Sequence, residues 1–132
     1  MKRILGISLL AAAAACTPVA PVEMSAAQQS SLGEALAGRT AGPAVSCVSQ
    51  RNLRGSRSFG EGAILFQGTG GTVYVNRPPA GCPSLNFGRT LTTQTTGTQL
   101  CRGDIATVVD TSSGMTFGGC GLGDFVPYRR VR

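Results

Sequence analysis

The sequence predicts a small all-β domain held by disulfides, a barrel or sandwich of about seven short strands. From residue 45 onward, short runs rich in Val, Ile, Thr, Phe and Tyr alternate with Gly, Pro or Asn, which is typical of strands joined by turns. The 19 glycines and 7 prolines favour turns over long helices. Four cysteines are spread through the same region, and disulfides stabilise domains whose core is small.

Residues 1–15 predict an export signal. Lys2 and Arg3 give a positive start, and residues 4–15 form an uncharged, mostly apolar run that ends in alanines. This run is too short for a transmembrane helix, which needs about twenty residues. We therefore expect the mature chain to leave the cytosol.

Residues 9–16 (LLAAAAAC) resemble a bacterial lipobox, which makes Cys16 the predicted lipidation site, although Ala13 stands where Leu or Val is usual. Thr17, rather than Asp, follows the cysteine. In such lipoproteins this implies anchoring at the periplasmic side of the outer membrane. The alternative is an ordinary signal peptide cut at an Ala-x-Ala site, which would give a soluble periplasmic or secreted protein.

Residues 16–40 are predicted to be a lipid-anchored linker that can form a short helix. Pro18 and Pro21 favour an extended start. Residues 24–39 contain helix-favouring Ala and Gln, with Ser25 as a candidate cap and Gly33 as a weakening residue. A tether with a transient helix and a docked helix both remain open.

Residues 41–132 are predicted to form the all-β domain. Glycines at 68, 70 and 71 predict a hairpin turn with positive φ between the second and third strands. Residues 105–110 form the strongest predicted buried run and are expected to pair with residues 115–120, while Pro127 argues that the last strand lies at a sheet edge. The predicted strands cover residues 45–48, 63–67, 72–76, 89–95, 105–110, 115–120 and 124–128.

Cys47, Cys82, Cys101 and Cys120 are predicted to form two structural disulfides. No pair has the Cys-x-x-Cys spacing of zinc or redox sites, and exported small domains commonly contain disulfides. Four cysteines allow three pairings. We favour Cys82–Cys101 with Cys47–Cys120, which would tie the middle of the chain and then its two ends.

Several segments together resemble a family of small exported proteins of unknown function from alphaproteobacteria, chiefly sphingomonad-like bacteria. The resemblance covers about residues 38–128 and implies no activity, cofactor or ligand. Residues 60–62 depart from the turn usual in the family. The segments that carry it are residues 38–43 (GRTAGP), 46–47 (SC), 72–76 (TVYVN), 82–83 (CP), 99–105 (QLCRGDI), 108–110 (VVD) and 119–128 (GCGLGDFVPY).

The sequence excludes several catalytic mechanisms. It has no histidine, so Ser-His-Asp and Cys-His nucleophiles and His-ligated zinc are absent. Asp104, Asp124 and Glu61 are the candidates for a carboxylate-based hydrolase, but each also fits a turn residue that binds nearby backbone. We predict no enzyme, cofactor or metal site. The glycine-rich stretches fit turns rather than phosphate loops, and the Arg-Gly-Asp of residues 102–104 is expected to be a chance occurrence.

Arginines are the candidate binding residues. Of 12 basic residues, Lys2 and Arg3 belong to the predicted signal, which leaves ten arginines against 6 acidic residues. Arg51, Arg54 and Arg57 cluster before the first predicted hairpin, and three more end the chain. Arginine binds phosphate and carboxylate through a planar fork of donors. The alternative is a solvated basic face that reflects an arginine-rich genome composition.

We therefore predict a non-catalytic envelope lipoprotein that binds an anionic envelope component or a protein partner. The alternative functions are a periplasmic enzyme inhibitor or accessory subunit and, less favoured, a hydrolase. Nucleic acid is not an expected partner, because export separates the chain from it.

Overall fold

The computed structural model of the chain describes Cys16, residues 22–86 and residues 88–132. Within these ranges the chain forms one α-helix and ten strands. They are α1 (Ala26–Ala35), β1 (Arg39–Ala41), β2 (Cys47–Ser49), β3 (Leu53–Phe59), β4 (Ala63–Gly68), β5 (Val73–Asn76), β6 (Thr90–Thr93), β7 (Gln99–Cys101), β8 (Ile105–Val109), β9 (Thr116–Gly121) and β10 (Phe125–Arg130).

The strands form three antiparallel sheets, which confirms the predicted fold class. The largest has five strands in the order β1-β10-β5-β4-β3. A three-stranded sheet has the order β6-β8-β9, and β2 pairs with β7 alone. The two smaller sheets contribute to a core on one side of the five-stranded sheet, here called its core face, and α1 packs on the other side, its helix face.

Successive side chains of a strand point to opposite faces of its sheet, and apolar residues of the central strands are buried on both faces of the five-stranded sheet. In β4, Ile64 and Phe66 point into the core shared with the small sheets, whereas Ala63 and Leu65 point toward α1. In β5, Val73 and Val75 share the helix face and Tyr74 lies on the core face. Residues of the core face are Val48, Ile64, Phe66, Cys82, Leu85, Leu100, Ala106, Val108, Cys120, Leu122 and Phe125.

The helix is docked rather than transient. Ser25 caps it as predicted: the Ser25 side chain accepts from the N–H of Gln28, and the Gln28 side chain accepts from the N–H of Ser25. Leu32 is buried against the sheet together with Met24. The folded body therefore includes residues from within the predicted linker, and its sheet begins at Arg39.

Several local predictions about strands need correction. β1, β3 and β7 were not predicted as strands, and β3 was missed because its sequence is polar and interrupted by glycine. β8 is half-buried rather than buried, since Ile105 is 59% exposed. β10 lies between β1 and β5 rather than at an edge. Pro127 is accommodated because it lies opposite Gly42, just past the end of β1, where Gly42 N–H donates to its carbonyl and no bond from residue 127 is required.

The disulfides are Cys47–Cys101 and Cys82–Cys120, so the favoured pairing is wrong. Antiparallel pairing of β2 with β7 places Cys47 directly opposite Cys101, with their Cα atoms 4.0 Å apart. Cys82, in the connection after β5, crosses to β9 and meets Cys120 with a Cα separation of 4.9 Å. Spacing along the chain carries no information on this register, which is why it misled the prediction.

A buried asparagine joins β5 to the segment before β10. Asn76 is fully buried. Its Nδ2 donates to the Gly123 carbonyl at 2.8 Å, and its Oδ1 accepts from the Gly123 N–H at 2.9 Å. The amide thus reproduces the two bonds of a strand pair at a point where the backbone ladder has ended.

Candidate functional site

The three arginines predicted to bind a ligand lie at the start of β3 and along it. Arg51 belongs to a single 3₁₀ turn over Gln50–Asn52, and Arg54 and Arg57 are within β3. All three are exposed. β3 is the last strand of the five-stranded sheet and bonds within it only to β4. The structure therefore places the predicted residues along one margin of the sheet.

A β-bulge sets the direction of Arg54. The register of β3 against β4 shifts between Leu53 and Gly55, which makes Arg54 the extra residue. Ser56 pairs with Phe66 of the core face, and Gly55 pairs with Gln67, which alternation along β4 places on the helix face. A bulge sets two residues against one, so Arg54 lies on the helix face with Gly55. Arg57 is also on the helix face, where it lines a shallow cavity with residues of α1. Without the bulge, two residues three apart would point to opposite faces.

Two further arginines reach the same end of the sheet from distant parts of the sequence. β1 and β10 pair so that Arg39 lies opposite Arg130, at the end that also holds the start of β3 and the turn at residues 69–71. We call this the basic end, defined by Arg39, Arg51, Arg54 and Arg130. Sequence reasoning missed Arg39, because nothing local to residue 39 signals that it will face residue 130.

The charges of the basic end are not neutralised within the protein. Within residues 22–86 and 88–132, the one ion pair is Arg102–Asp124, with Nη1 and Oδ1 3.4 Å apart. Arg57 instead lies over the ring of Phe59, 4.8 Å from its centroid, a cation–π contact. Arg39 donates to two backbone carbonyl groups, but no carboxylate in these ranges pairs with an arginine of the basic end, so their positive charges can attract an external anion.

Each of the three candidate catalytic carboxylates is bound to nearby groups. Glu61 accepts from the Ser84 N–H at 3.0 Å and from Asn86 Nδ2 at 3.2 Å, holding the connection after β5. Asp104 accepts from the Cys101 N–H at 2.7 Å in the β7–β8 turn. Asp124 pairs with Arg102. This arrangement accounts for each of them by a structural role.

The Asp104 contact also orients the Arg-Gly-Asp tripeptide. The aspartate is directed back to its own turn, and the arginine is paired with Asp124.

Among the residues that the structure describes, no group of three or more His, Cys, Asp or Glu side chains has the geometry to hold a metal ion.

Hydrogen bonds in the β8–β9 turn lower the pKa of Asp110. Its Oδ1 accepts from the Ser112 hydroxyl at 2.6 Å and from the Ser112 N–H at 2.8 Å, with the Ser113 N–H at 3.3 Å. These bonds favour the charged form and lower the pKa of Asp110 below its ordinary value, the hydroxyl bond contributing most. Asp110 lies in the β8–β9 turn, so its role is to shape that hairpin.

Two cavities that share Arg77 lie on the helix face. One, of about 610 Å³, lies beside α1 and includes Leu32 and Leu36 in its lining. The second, of about 490 Å³, has an apolar floor of Val75, Val126 and Tyr128 and includes the Arg102–Asp124 pair. Arg77 lines both. Neither contains an arginine of the basic end.

The predicted lipidation site lies at the margin of the described chain. Cys16 is exposed and forms no disulfide, as an acylated residue requires, while the predicted signal at residues 1–15 lies outside the described residues. No helix in the described ranges has the length and apolarity needed to cross a membrane.

Comparison of the chain with protein-family models, with curated proteins and with solved structures yields no match. The resemblance to small exported alphaproteobacterial proteins stays a prediction.

Proposed function

We propose that this chain is a non-catalytic cell-envelope lipoprotein whose arginines bind an anionic component of the envelope. The observation that supports the proposal most is the exposed row formed by Arg51, Arg54 and Arg57, continued at the basic end by Arg39 and Arg130, without ion-pair partners in the described chain. Arginine forks match phosphate and carboxylate groups.

The disulfides support a location outside the cytosol, because structural disulfides persist in oxidising compartments. Acylation of Cys16 would hold the protein at the outer membrane, on its periplasmic side. In that place the anionic groups available to a basic surface are headgroup phosphates and acidic polymers.

The shape of the surface supports binding to an extended ligand. Arg54 and Arg57 are three residues apart on one strand, which corresponds to about 10 Å. Arg130 is on β10, three strands away from β3, which corresponds to about 14 Å at the usual strand spacing. One small anion cannot contact all of these groups, whereas a membrane surface or a polymer can.

The test compares binding of the oxidised whole chain to anionic and to zwitterionic vesicles. A lipid anchor or an apolar signal binds both kinds of vesicle. The difference in affinity between anionic and zwitterionic vesicles therefore measures the contribution of the arginines. Each arginine near an anionic surface contributes about 1 kcal/mol. We expect the double variant Arg54→Ser, Arg57→Ser to bind anionic vesicles about 30-fold more weakly than the parent protein. Added salt should also weaken binding of the parent protein to these vesicles.

The matched control is Arg77→Ser with Arg102→Ser, which removes the same net charge from the cavity region of the helix face. We expect this pair to change binding by only a few fold. Equal losses in the two double variants would mean that net charge alone drives binding, and the proposed surface would be wrong. A protein captured stably at high salt would favour the inhibitor or accessory-subunit function instead.

A further inference from the structure

Two arginines face each other across β1 and β10. Arg39 and Arg130 are direct register partners, so their side chains leave the same face of the sheet with Cβ atoms about 5 Å apart. Like charges directly opposite on neighbouring strands are destabilising. A fold that keeps such a pair without a neutralising carboxylate is suited to an added anion.

Backbone carbonyl groups hold Arg39 in position. Its Nη1 donates to the Ala35 carbonyl at 3.0 Å, at the C-terminus of α1, and its Nε lies 3.4 Å from the Gly71 carbonyl oxygen. The residue is half-buried. A guanidinium has five N–H donors, so these two contacts fix its plane and leave the remaining donors available.

Arg130 approaches the same glycine from the opposite strand. A methyl group placed on Gly71 would lie 3.4 Å from Arg130 Nε, so the guanidinium packs against the turn. Gly71 has φ of +77°, which favours glycine, and the absence of a side chain leaves room for Arg130. The Arg130 side chain is exposed and forms no hydrogen bond or ion pair within the described ranges.

The nearest carboxylate along the chain does not neutralise the pair. Glu34 lies on the last turn of α1, next to the carbonyl group that holds Arg39, yet it forms no ion pair with either arginine in the described structure. Two full positive charges therefore face solvent around one glycine of the 69–71 turn.

We propose that Arg39, Arg130 and the turn at Gly71 form a binding site for a single phosphomonoester group. A phosphomonoester carries a charge of about −1.5 to −2 near neutral pH, which matches two guanidinium groups, and its oxygens accept from planar forks. A carboxylate or phosphodiester carries one charge and would neutralise only half of the pair. This site goes beyond the proposed surface, because it binds one group through two named residues.

The test measures binding of glycerol phosphate, a soluble monoester, to the oxidised whole chain by NMR or calorimetry. We expect Arg130→Gln to weaken binding at least tenfold, since a charge-assisted bond contributes about 1.5–3 kcal/mol. Arg130→Lys keeps the charge without the fork, so we expect an intermediate affinity. Arg132→Gln removes the same charge beyond the end of β10 and is expected to stay within twofold of the parent.

Three outcomes would overturn the site: equal weakening by Arg130→Gln and Arg132→Gln, equal affinity for acetate or dimethyl phosphate, or no saturation in the millimolar range. Vesicles containing phosphatidic acid or phosphatidylglycerol, matched in charge, distinguish a lipid-borne monoester from a soluble one. A binding preference for phosphatidic acid that Arg130→Gln removes would indicate the lipid source. Failure of this site leaves the Arg54 and Arg57 vesicle result unchanged, so the two proposals fail separately.

Discussion

Replacing Asn76 with aspartate tests whether the buried amide joins β5 to Gly123. The two side chains have nearly the same shape, but aspartate puts an oxygen where Nδ2 now donates to the Gly123 carbonyl at 2.8 Å. Two oxygens at this distance need a proton between them. Burial and the opposed carbonyl group therefore disfavour the charged form and raise the pKa of the introduced carboxyl, while the remaining bond from the Gly123 N–H offsets part of that shift.

The expected loss of stability follows from the difference between the pKa of the introduced carboxyl in the folded and in the unfolded state. Asn76 is fully buried, and burial raises carboxyl pKa values by up to about 3–5 units. A net rise of about three units from the unfolded value of about 3.9 costs about 4 kcal/mol at pH 7, at 1.36 kcal/mol per unit. Because the folded pKa is raised, the variant is most stable below the unfolded pKa, and it loses stability as pH rises through the folded pKa.

The assay is urea unfolding of the parent and of Asn76→Asp between pH 3 and 8, with both disulfides oxidised. The difference in unfolding free energy should grow from near zero at the acid end to about 4 kcal/mol. As a control, Asn76→Ala leaves both backbone groups of Gly123 without partners, so it should lose about 2–5 kcal/mol at every pH. Parallel curves for the aspartate variant and the parent would refute the role assigned to the amide.

Three further predictions follow from the fold. Leu32→Ala should lower the unfolding free energy by about 2–5 kcal/mol, since Leu32 of α1 is buried against the five-stranded sheet; a loss below 0.5 kcal/mol, about the effect of a surface substitution, would mean that the helix is not docked. Non-reducing peptide mapping should recover Cys47–Cys101 and Cys82–Cys120, and removing either pair should cost about 4 kcal/mol in the chain-entropy model; a peptide joining Cys82 to Cys101 would contradict the structure. Asp110→Asn should lower the melting temperature above about pH 4 and cease to do so in strong acid, because the lowered pKa of Asp110 stabilises the fold only while the carboxyl is charged; a difference independent of pH would exclude that mechanism.

Sequence patterns predicted the strands that have a strong local signal. β4 and β5 combine apolar residues with a glycine turn, and both were predicted to within one or two residues. The Ser25 cap was predicted from a single residue and its neighbours. β3 was missed because one of its faces carries arginines and the other carries small polar residues such as Ser56 and Ser58, so no apolar periodicity marks it.

Misjudged positions share a different cause. Pro127 indicates an edge strand because it has no N–H to donate, but β1 ends before Gly42, which needs no bond from residue 127 and itself donates to the Pro127 carbonyl. Ile105 belongs to an apolar run, yet its position at the start of β8 leaves it exposed. In both cases the packing of a distant element decided the environment of the residue.

The sequence by itself determined that the chain is strand-rich, that four cysteines can join, and that positive charge resides on arginine. Those properties depend on composition and on neighbours within a few residues, which the chain order displays directly. Only the tertiary structure decided that Cys47 meets Cys101, that a bulge turns Arg54 toward the side of Arg57, and that Arg39 faces Arg130. Strand register decides these pairings, and it depends on the simultaneous packing of segments dozens of residues apart.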